Sequence, residues 1–281
     1  MLQKELDLAI TLARLAGKRI LEHYATEFET VQKLAVDNFY EPVTLADKEA
    51  SRIIVEGIAA EFENDAILSE EEPDDAERRL AAKRVWIIDP MDGTAGFVNR
   101  DGDFAVQIGL VDAGVPVMGV VLLPVQRTLL FAVKGTGSFS AVGGDEPERL
   151  TASQHTVLSD MTLAASRNHP SPRMGRIIEH FGFPKIVSRG SVGLKVALIA
   201  DRTCDIYIHP SPRTKLWDSC APQIILEEAG GRFTDLFGED IVYDSPQLSN
   251  LNGLLATNGV AHEAAVEKLR PILEEFGRVR V

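Results

Sequence analysis

Apolar side chains recur every three or four positions at the start of the chain, a spacing that is typical of an amphipathic helix. It predicts a helix over residues 2–25, followed by a polar, irregular stretch to about Pro42. A second helix is predicted to begin at Thr44, because Thr44 can cap a helix and Asp47, three positions later, suits the positive end of the helix dipole. The chain thus begins with two helices joined by an irregular segment.

Short apolar runs bounded by glycine and proline follow these helices, and such runs predict sheet strands. The predicted strands of this part lie at residues 66–68, 85–88, 104–111, 115–123 and 128–133. Beyond a candidate boundary at residues 142–150, strands and helices alternate. The strands there are predicted at 162–165, 185–188 and 204–209, and the helices at 172–181, 192–200 and 218–229. The pattern predicts an N-terminal α+β half, residues 1–145, and a C-terminal α/β half, residues 146–281.

Composition restricts what a chain of 281 residues with this pattern can do. Its net charge of −13 argues against a nucleic-acid polymer as partner, since such a partner needs a positive surface. An anionic small substrate stays compatible, because carboxylates gathered around divalent cations can make a site locally positive. The longest apolar stretch, residues 115–125, is too short to span a membrane, and the first ten residues lack the features of a signal peptide. With two cysteines, we expect a reduced, cytoplasmic protein without membrane association.

The strongest chemical signal is the segment Trp-Ile-Ile-Asp-Pro-Met-Asp-Gly-Thr, which ends at Thr94. A buried strand delivers Asp89 and Asp92 to a Pro-Gly turn, and Met91 between them can offer its backbone carbonyl. Oxygen ligands of this kind suit a hard cation such as Mg²⁺. If a helix begins at Gly93-Thr94, its free amides form a cradle for phosphate beside the metal. A turn that merely closes the strand is the alternative for any single Asp-Gly pair, but the complete string makes that alternative weak.

This string resembles a motif of the inositol monophosphatase-like superfamily of lithium-sensitive, magnesium-dependent phosphatases, and the resemblance covers nearly the whole chain. Residues 41–47 resemble the family's Pro-Val-Thr-x-Ala-Asp element, and residues 67–71 resemble its Gly-Glu-Glu element, with Ser69 where glycine is usual. Residues 216–218 and 227–231 resemble its Trp-Asp and Glu-Ala-Gly-Gly pair. The resemblance implies a layered αβαβα sugar-phosphatase fold, a small phosphorylated metabolite as substrate and a homodimer as a common assembly.

The resemblance also implies a set of metal ligands for two or three Mg²⁺ ions. Glu70, Asp89 and the Met91 carbonyl would bind one ion. Asp89, Asp92 and Asp218 would bind a second. Two such ions stabilise the attacking and leaving oxygens of an in-line displacement. A zinc site has no support in the sequence, because the six histidines are scattered and none is closely paired with a cysteine.

The proton path that the resemblance implies runs through Thr94 and Asp47. Thr94 is not deprotonated alone near neutral pH, but paired with Asp47 it could accept a proton from the water that attacks phosphorus. Glu70 would orient that water, and no covalent enzyme intermediate is implied. Ser-His-Asp catalysis lacks a nucleophile-elbow motif here, and the glycine-rich residues 135–138 are predicted to turn a hairpin rather than to bind phosphate.

The chain resembles the 3′(2′),5′-bisphosphate nucleotidase branch of this superfamily more than the inositol branch. Residues 97–106 and 215–222 carry this resemblance, and residues 166–169 resemble a Ser-Arg-x-His segment that lies at the substrate in the family. Ser211 stands where inositol phosphatases use a carboxylate to hold sugar hydroxyls, and the nearby Arg213 and Lys215 are positive, which favours a second phosphate. The residues expected to bind substrate are Asp92, Gly93, Thr94, His169, Gly190, Ser191, Lys195, Arg213, Lys215 and Asp218.

The expected reaction is the hydrolysis of 3′-phosphoadenosine 5′-phosphate to AMP and phosphate. Inositol 1-monophosphate and histidinol phosphate remain alternative substrates. A non-catalytic, metal-dependent sensor of phosphorylated metabolites is the alternative of another class. The complete set of candidate catalytic and metal-binding residues argues against it, since a sensor has no need of a proton acceptor for water.

Overall fold

The computed structural model describes residues 2–26, 30–34, 40–167 and 171–280, and in these ranges helices alternate with sheets. The helices are α1 Gln3–Tyr24, α2 Leu45–Glu61, α3 Ala76–Ala81, α4 Thr94–Val98, α5 Pro172–Phe181, α6 Val192–Ala200, α7 Leu216–Glu228 and α8 His262–Glu275. The strands are β1 Thr30–Leu34, β2 Tyr40–Thr44, β3 Ala66–Ser69, β4 Arg84–Asp92, β5 Ala105–Asp112, β6 Val115–Leu123, β7 Thr128–Val133, β8 Gly137–Val142, β9 Glu148–Leu150, β10 Thr162–Ser166, β11 Lys185–Arg189, β12 Ile206–His209, β13 Arg232–Thr234 and β14 Leu254–Thr257.

Two large sheets organise these strands. The seven-stranded sheet has the order β3-β4-β5-β6-β7-β8-β9, with β3 and β4 parallel and every later pair antiparallel. The five-stranded sheet has the order β11-β10-β12-β14-β13, in which β10 runs parallel to both of its neighbours. Strands β1 and β2 form a separate antiparallel pair ahead of α2.

The helices lie in three layers around the two sheets. Helices α1 and α2 pack their apolar faces on one side of the seven-stranded sheet. Helices α6 and α7 fill the space between the two sheets, and α5 and α8 cover the outer face of the five-stranded sheet. A side chain at Gly119 would place its Cβ 2.6 Å from the Ala221 carbonyl, so glycine is required for α7 to lie this close to the sheet. The predicted αβαβα layering is confirmed.

Every predicted helix and strand is present, and the structure contains further elements that were not predicted, among them β14 and α8. Helices α5 and α6 have the predicted bounds, and β6 and β7 match the predicted strands. The stretch before Pro42, predicted as irregular, contains β1 and β2, because polar side chains and a proline hide the strand pattern there. Strand β9 still belongs to the first sheet, so that sheet extends past residue 145 to Leu150. The division into halves at 145/146 stays a prediction.

The hairpin predicted at residues 135–138 is present, since this segment joins β7 to β8. The Glu228 carboxylate accepts hydrogen bonds from the amides of Gly135 and Gly137, both at 2.7 Å, which fixes the turn against the end of α7. None of the helices in the described ranges combines the length and the apolar character that crossing a bilayer requires.

Candidate active site

The end of β4 contains a β-bulge that determines where its two carboxylates point. Residues three apart on a regular strand face opposite sides of the sheet. In the pairing of β4 with β5, Asp89 lies opposite Gln107, but Asp92 lies opposite Ala105, so β4 has one residue more than its partner. Gln107 and Ala105 are two residues apart on β5, so their side chains lie on the same face of the sheet. The bulge therefore places the side chain of Asp92 on the same face as that of Asp89.

Asp218 joins these two residues from the start of α7. One carboxylate oxygen from each of Asp89, Asp92 and Asp218 lies within 4.8 Å of the other two. Asp89 and Asp92 are buried, and Asp218 is half-buried. Burial raises the pKa of Asp92, since a carboxylate is poorly solvated in this setting. Three carboxylates so close together repel one another unless a cation lies between them, and a set of hard oxygen donors fits Mg²⁺.

The Asp92 carboxylate is oriented by three hydrogen bonds to the same oxygen. Its Oδ2 accepts from Gln107 Nε2 at 2.7 Å, from the Ser191 hydroxyl, and from the Gly193 amide at 3.0 Å. Ser191 is also the N-cap of α6, where its side chain accepts from the Leu194 amide. The start of α6 in the C-terminal half therefore contributes to the orientation of an acid at the end of β4.

Asp47 and Asp218 lie at the starts of α2 and α7, and each is oriented by the backbone of its own helix. Asp47 Oδ2 accepts from the Thr44 amide at 2.7 Å, and Asp218 Oδ2 accepts from the Lys215 amide at 2.6 Å. In both cases the acid is the third residue of the helix, and its carboxylate reaches back to the N-cap amide, as in a capping box. The first turn of each helix thus fixes the position of its acid.

Asp47 and Thr94 form the dyad that the sequence predicted. The Thr94 hydroxyl lies 2.9 Å from Asp47 Oδ1 and 3.2 Å from the Met91 carbonyl. It has a single proton, and the shorter distance favours donation to Asp47. Burial raises the pKa of Asp47 to about 6, an effect opposed by the hydrogen bonds from Thr44 and Thr94. Met91 links the dyad to the carboxylates, since its amide donates to Asp89 Oδ1 at 3.0 Å.

The turn between β4 and α4 lies close to the backbone of Asp103, whose side chain makes a further contact with the segment before α6. Gly93 has a φ of +95°, and a Cβ there would lie 2.6 Å from the Asp103 carbonyl, so glycine is required. The buried Asp103 Oδ2 accepts from the Gly190 amide at 2.9 Å and lies 2.8 Å from Arg167 Nη1. The hydrogen bond from Gly190 connects the segment after α4 to the turn that precedes α6, and the ion pair connects the same segment to the end of β10.

Lys195, expected at the substrate, has its ammonium group inside the protein. Its Nζ donates to the carbonyls of Gly190 and Ser191, and it lies 4.9 Å from the centre of the Tyr207 ring. Burial lowers the pKa of Lys195 to about 8, and the charge of Asp92 opposes this change. These contacts place Lys195 directly beneath the turn that carries the Ser191 hydroxyl.

Arg213 and Lys215 precede α7, next to Asp218, and both are partly exposed. The Lys215 ammonium donates to Ser249 Oγ at 2.6 Å, and the Arg213 amide donates to Ser211 Oγ at 3.3 Å. His169 lies outside the described residues. The roles of these residues in binding substrate stay predictions.

Glu70 follows β3, where its amide donates to the Ile88 carbonyl at 3.2 Å. It is not one of the three acids in the carboxylate cluster, and its role as a ligand stays a prediction. Sequence reasoning did not assign Gln107 or Asp103 to the site, and it placed Arg167 there only as part of residues 166–169. For Gln107 a signal existed, since it is a polar residue within the apolar strand β5.

Comparison with known proteins identifies the family. Residues 1–274 match the Inositol monophosphatase family. The 3′(2′),5′-bisphosphate nucleotidase CysQ of Escherichia coli K12 is 32% identical over 249 residues, which is 88% of this chain and 96% of that protein. A fructose-1,6-bisphosphatase/inositol-1-monophosphatase of Thermotoga maritima is 30% identical over 274 residues, covering 97% of this chain and 98% of that protein.

Solved structures agree with these relatives. The Thermotoga maritima IMPase superposes with a TM-score of 0.82 at 28% identity and covers 98% of this chain and 100% of that chain. CysQ of Bacteroides thetaiotaomicron superposes with a TM-score of 0.76 at 31% identity, covering 92% and 98%. Phosphatases of this kind are typically metal-dependent and act on small phosphorylated metabolites. The chain belongs to the inositol monophosphatase family and is a phosphoric monoester hydrolase.

Proposed function

We propose that this phosphatase is a magnesium-dependent 3′(2′),5′-bisphosphate nucleotidase that hydrolyses 3′-phosphoadenosine 5′-phosphate to AMP and phosphate. The observation that carries the proposal is the close approach of a carboxylate cluster and a hydroxyl–carboxylate dyad. One carboxylate oxygen from each of Asp89, Asp92 and Asp218 lies within 4.8 Å of the other two. The Thr94 hydroxyl lies 3.2 Å from the carbonyl of Met91, which stands between Asp89 and Asp92 in sequence. One phosphate ester at this point would meet both the metal ligands and a proton acceptor.

The chemistry divides between the metal ions and the side chains. Two or three Mg²⁺ ions held by Asp89, Asp92 and Asp218, with Glu70 and the Met91 carbonyl, would supply the positive charge that stabilises the attacking and leaving oxygens. The Thr94 hydroxyl donates a hydrogen bond to Asp47, so its lone pairs can face the attacking water; when the hydroxyl accepts a proton from that water, its own proton passes to the Asp47 carboxylate. Asp47 must be ionised for this role, and its raised pKa of about 6 still leaves it a carboxylate at neutral pH.

The choice of substrate rests on relatives and on charge. The E. coli relative is named as a 3′(2′),5′-bisphosphate nucleotidase. Arg213 and Lys215 precede Asp218 by five and three residues, and they could contact a second phosphate of a substrate whose first phosphate lies at the carboxylate cluster. The Thermotoga relative, named for fructose 1,6-bisphosphate and inositol 1-phosphate, makes these two the second candidate substrates.

A phosphate-release screen tests the reaction class and the substrate together. The screen compares 3′-phosphoadenosine 5′-phosphate, inositol 1-phosphate, histidinol phosphate and fructose 1,6-bisphosphate, each with Mg²⁺ and with a chelator. We expect the highest kcat/KM for the bisphosphate nucleotide and no release in the chelator. A preference for inositol 1-phosphate would refute the nucleotidase proposal, and equal release with the chelator would refute the metal dependence.

The double substitution Arg213→Ala, Lys215→Ala tests how the second phosphate is recognised. Charge-assisted hydrogen bonds contribute about 1.5–3 kcal/mol, so the loss of both should lower kcat/KM for the bisphosphate nucleotide by about tenfold or more. Activity on inositol 1-phosphate should hardly change, because its only phosphate occupies the metal site. The comparison of two substrates on one variant cancels general damage to the fold. Lys83→Ala, which removes an exposed cation from the other half, is the matched control.

A further inference from the structure

We propose that Gln107 is a positioning residue that orients the metal ligand Asp92, an inference that rests on the metal site proposed above. Gln107 is fully buried in the middle of β5, and its amide nitrogen donates to Asp92 Oδ2 at 2.7 Å. The other two donors to that oxygen, Ser191 and Gly193, both belong to the start of α6. Of these three donors, Gln107 is therefore the one that belongs to the same sheet as Asp92.

The bulge in β4 makes this contact possible. Without the extra residue, the side chain of Asp92 would lie on the opposite face of the sheet. With it, Asp92 lies opposite Ala105 on the same face as Gln107, two residues further along β5. A diagonal neighbour at this spacing is within reach of a long side chain such as glutamine. The three donors all occupy Oδ2, so Oδ1 is the oxygen of Asp92 that is available to a cation.

The carbonyl oxygen of the same amide argues for a functional role. Gln107 Oε1 is buried and has no hydrogen-bond partner among the residues that the structure describes. Burying a polar atom without a partner lowers stability, and an apolar side chain at this point of the apolar strand β5 would avoid that loss. The amide nitrogen of Gln107 is thus the atom that forms a hydrogen bond, and its acceptor, Asp92, is a proposed metal ligand. Residues that hold metal ligands in place in this way typically change metal affinity or activity by about ten- to a hundredfold when substituted.

The test measures Mg²⁺ binding by titration calorimetry on the full-length, metal-free protein. Gln107→Met keeps the length of the side chain and removes the donor. Gln107→Asn keeps an amide but withdraws it by one methylene, which lengthens the contact beyond hydrogen-bond distance. The matched control is Gln223→Met, because Gln223 is also buried and donates to a carboxylate, Glu227, at 3.0 Å, outside the cluster. Thermal unfolding in the presence of a chelator reports whether each variant is folded.

We expect the Kd for Mg²⁺ to rise about ten- to a hundredfold in both Gln107 variants and to stay within about twofold of wild type in Gln223→Met. The increase in Tm that saturating Mg²⁺ gives the wild-type protein should shrink in the same two variants. Wild-type Mg²⁺ affinity in a folded Gln107→Met or Gln107→Asn would overturn the inference and leave the proposed function intact. If the wild-type protein itself bound no Mg²⁺, the proposed function would fail, and the inference with it.

Discussion

Thr94→Val is the sharpest perturbation of the proposed mechanism, because valine has nearly the shape of threonine and lacks only its hydroxyl group. In the structure that hydroxyl lies 2.9 Å from Asp47 Oδ1. The substitution removes both the donor to Asp47 and the lone pairs that would take a proton from water. Thr94→Ser restores both and serves as the matched control.

The size of the effect follows from the contacts of the dyad. Positioned general acid–base groups typically contribute 10²–10⁴-fold in rate, so kcat should fall by about this factor, or about 3–5 kcal/mol in the barrier. Stability should change less, because Asp47 keeps its two hydrogen bonds from Thr44 and loses one. A hydrogen bond to a charged acceptor contributes about 1.5–3 kcal/mol, and we expect a loss of free energy of unfolding in that range.

Single-turnover phosphate release in saturating Mg²⁺ measures the chemical step, and calorimetric titration measures Mg²⁺ binding separately. The expected result is a slow chemical step with Mg²⁺ affinity close to wild type, since the Thr94 hydroxyl is not among the clustered carboxylates. Thr94→Ser should recover most of the rate. A rate for Thr94→Val within tenfold of wild type, or a loss that excess Mg²⁺ fully restores, would refute the role of the dyad as proton acceptor.

Two further predictions concern charge. Asp89→Asn should weaken Mg²⁺ binding and lower turnover while the fold is retained, since it removes a charge from the carboxylate cluster; near-wild-type turnover in saturating Mg²⁺ would contradict its role as a ligand. The contribution of His262 to the free energy of unfolding should fall by up to about 3 kcal/mol as pH decreases from 6.5 to about 4, because burial lowers the pKa of His262 to about 4 and this side chain is protonated in that window only when the chain is unfolded. The raised pKa of Asp47 acts in the opposite direction, so the contribution of His262 is the difference between wild type and His262→Gln. Chemical unfolding at several pH values measures this slope, and the same slope in His262→Gln would assign it to other groups.

Elements with strong local signals could be predicted to the residue. Helix α5 has proline at its first position, Ser171 as N-cap and Gly182 in a left-handed conformation after its end, so both boundaries are visible in the sequence. The acids of the Asp-Pro-Met-Asp-Gly-Thr string could be assigned because several unusual residues coincide. These predictions depend on neighbours in sequence alone.

The features that sequence reasoning missed depend on partners that are distant along the chain. The bulge in β4 exists only in relation to the register of β5, so no local pattern predicts it. The role of Gln107 depends on that bulge, and the Asp103–Arg167 ion pair joins residues that are 64 positions apart. The role of Lys195 in binding substrate stays a prediction, and its hydrogen bonds to two backbone carbonyls could not be foreseen from the sequence.

The first turns of α2 and α7 also constrain where the length of this chain can vary. Asp47 and Asp218 are each held by the N-cap amide of their own helix, at Thr44 and Lys215. One residue inserted between the cap and the acid would rotate the carboxylate by about 100° around the helix axis and shift it by about 1.5 Å. The same insertion just before Thr44 or Lys215 would be absorbed outside the helix. Homologous chains should therefore differ in length ahead of these two caps, outside the helices, and keep a constant spacing between each cap and its acid.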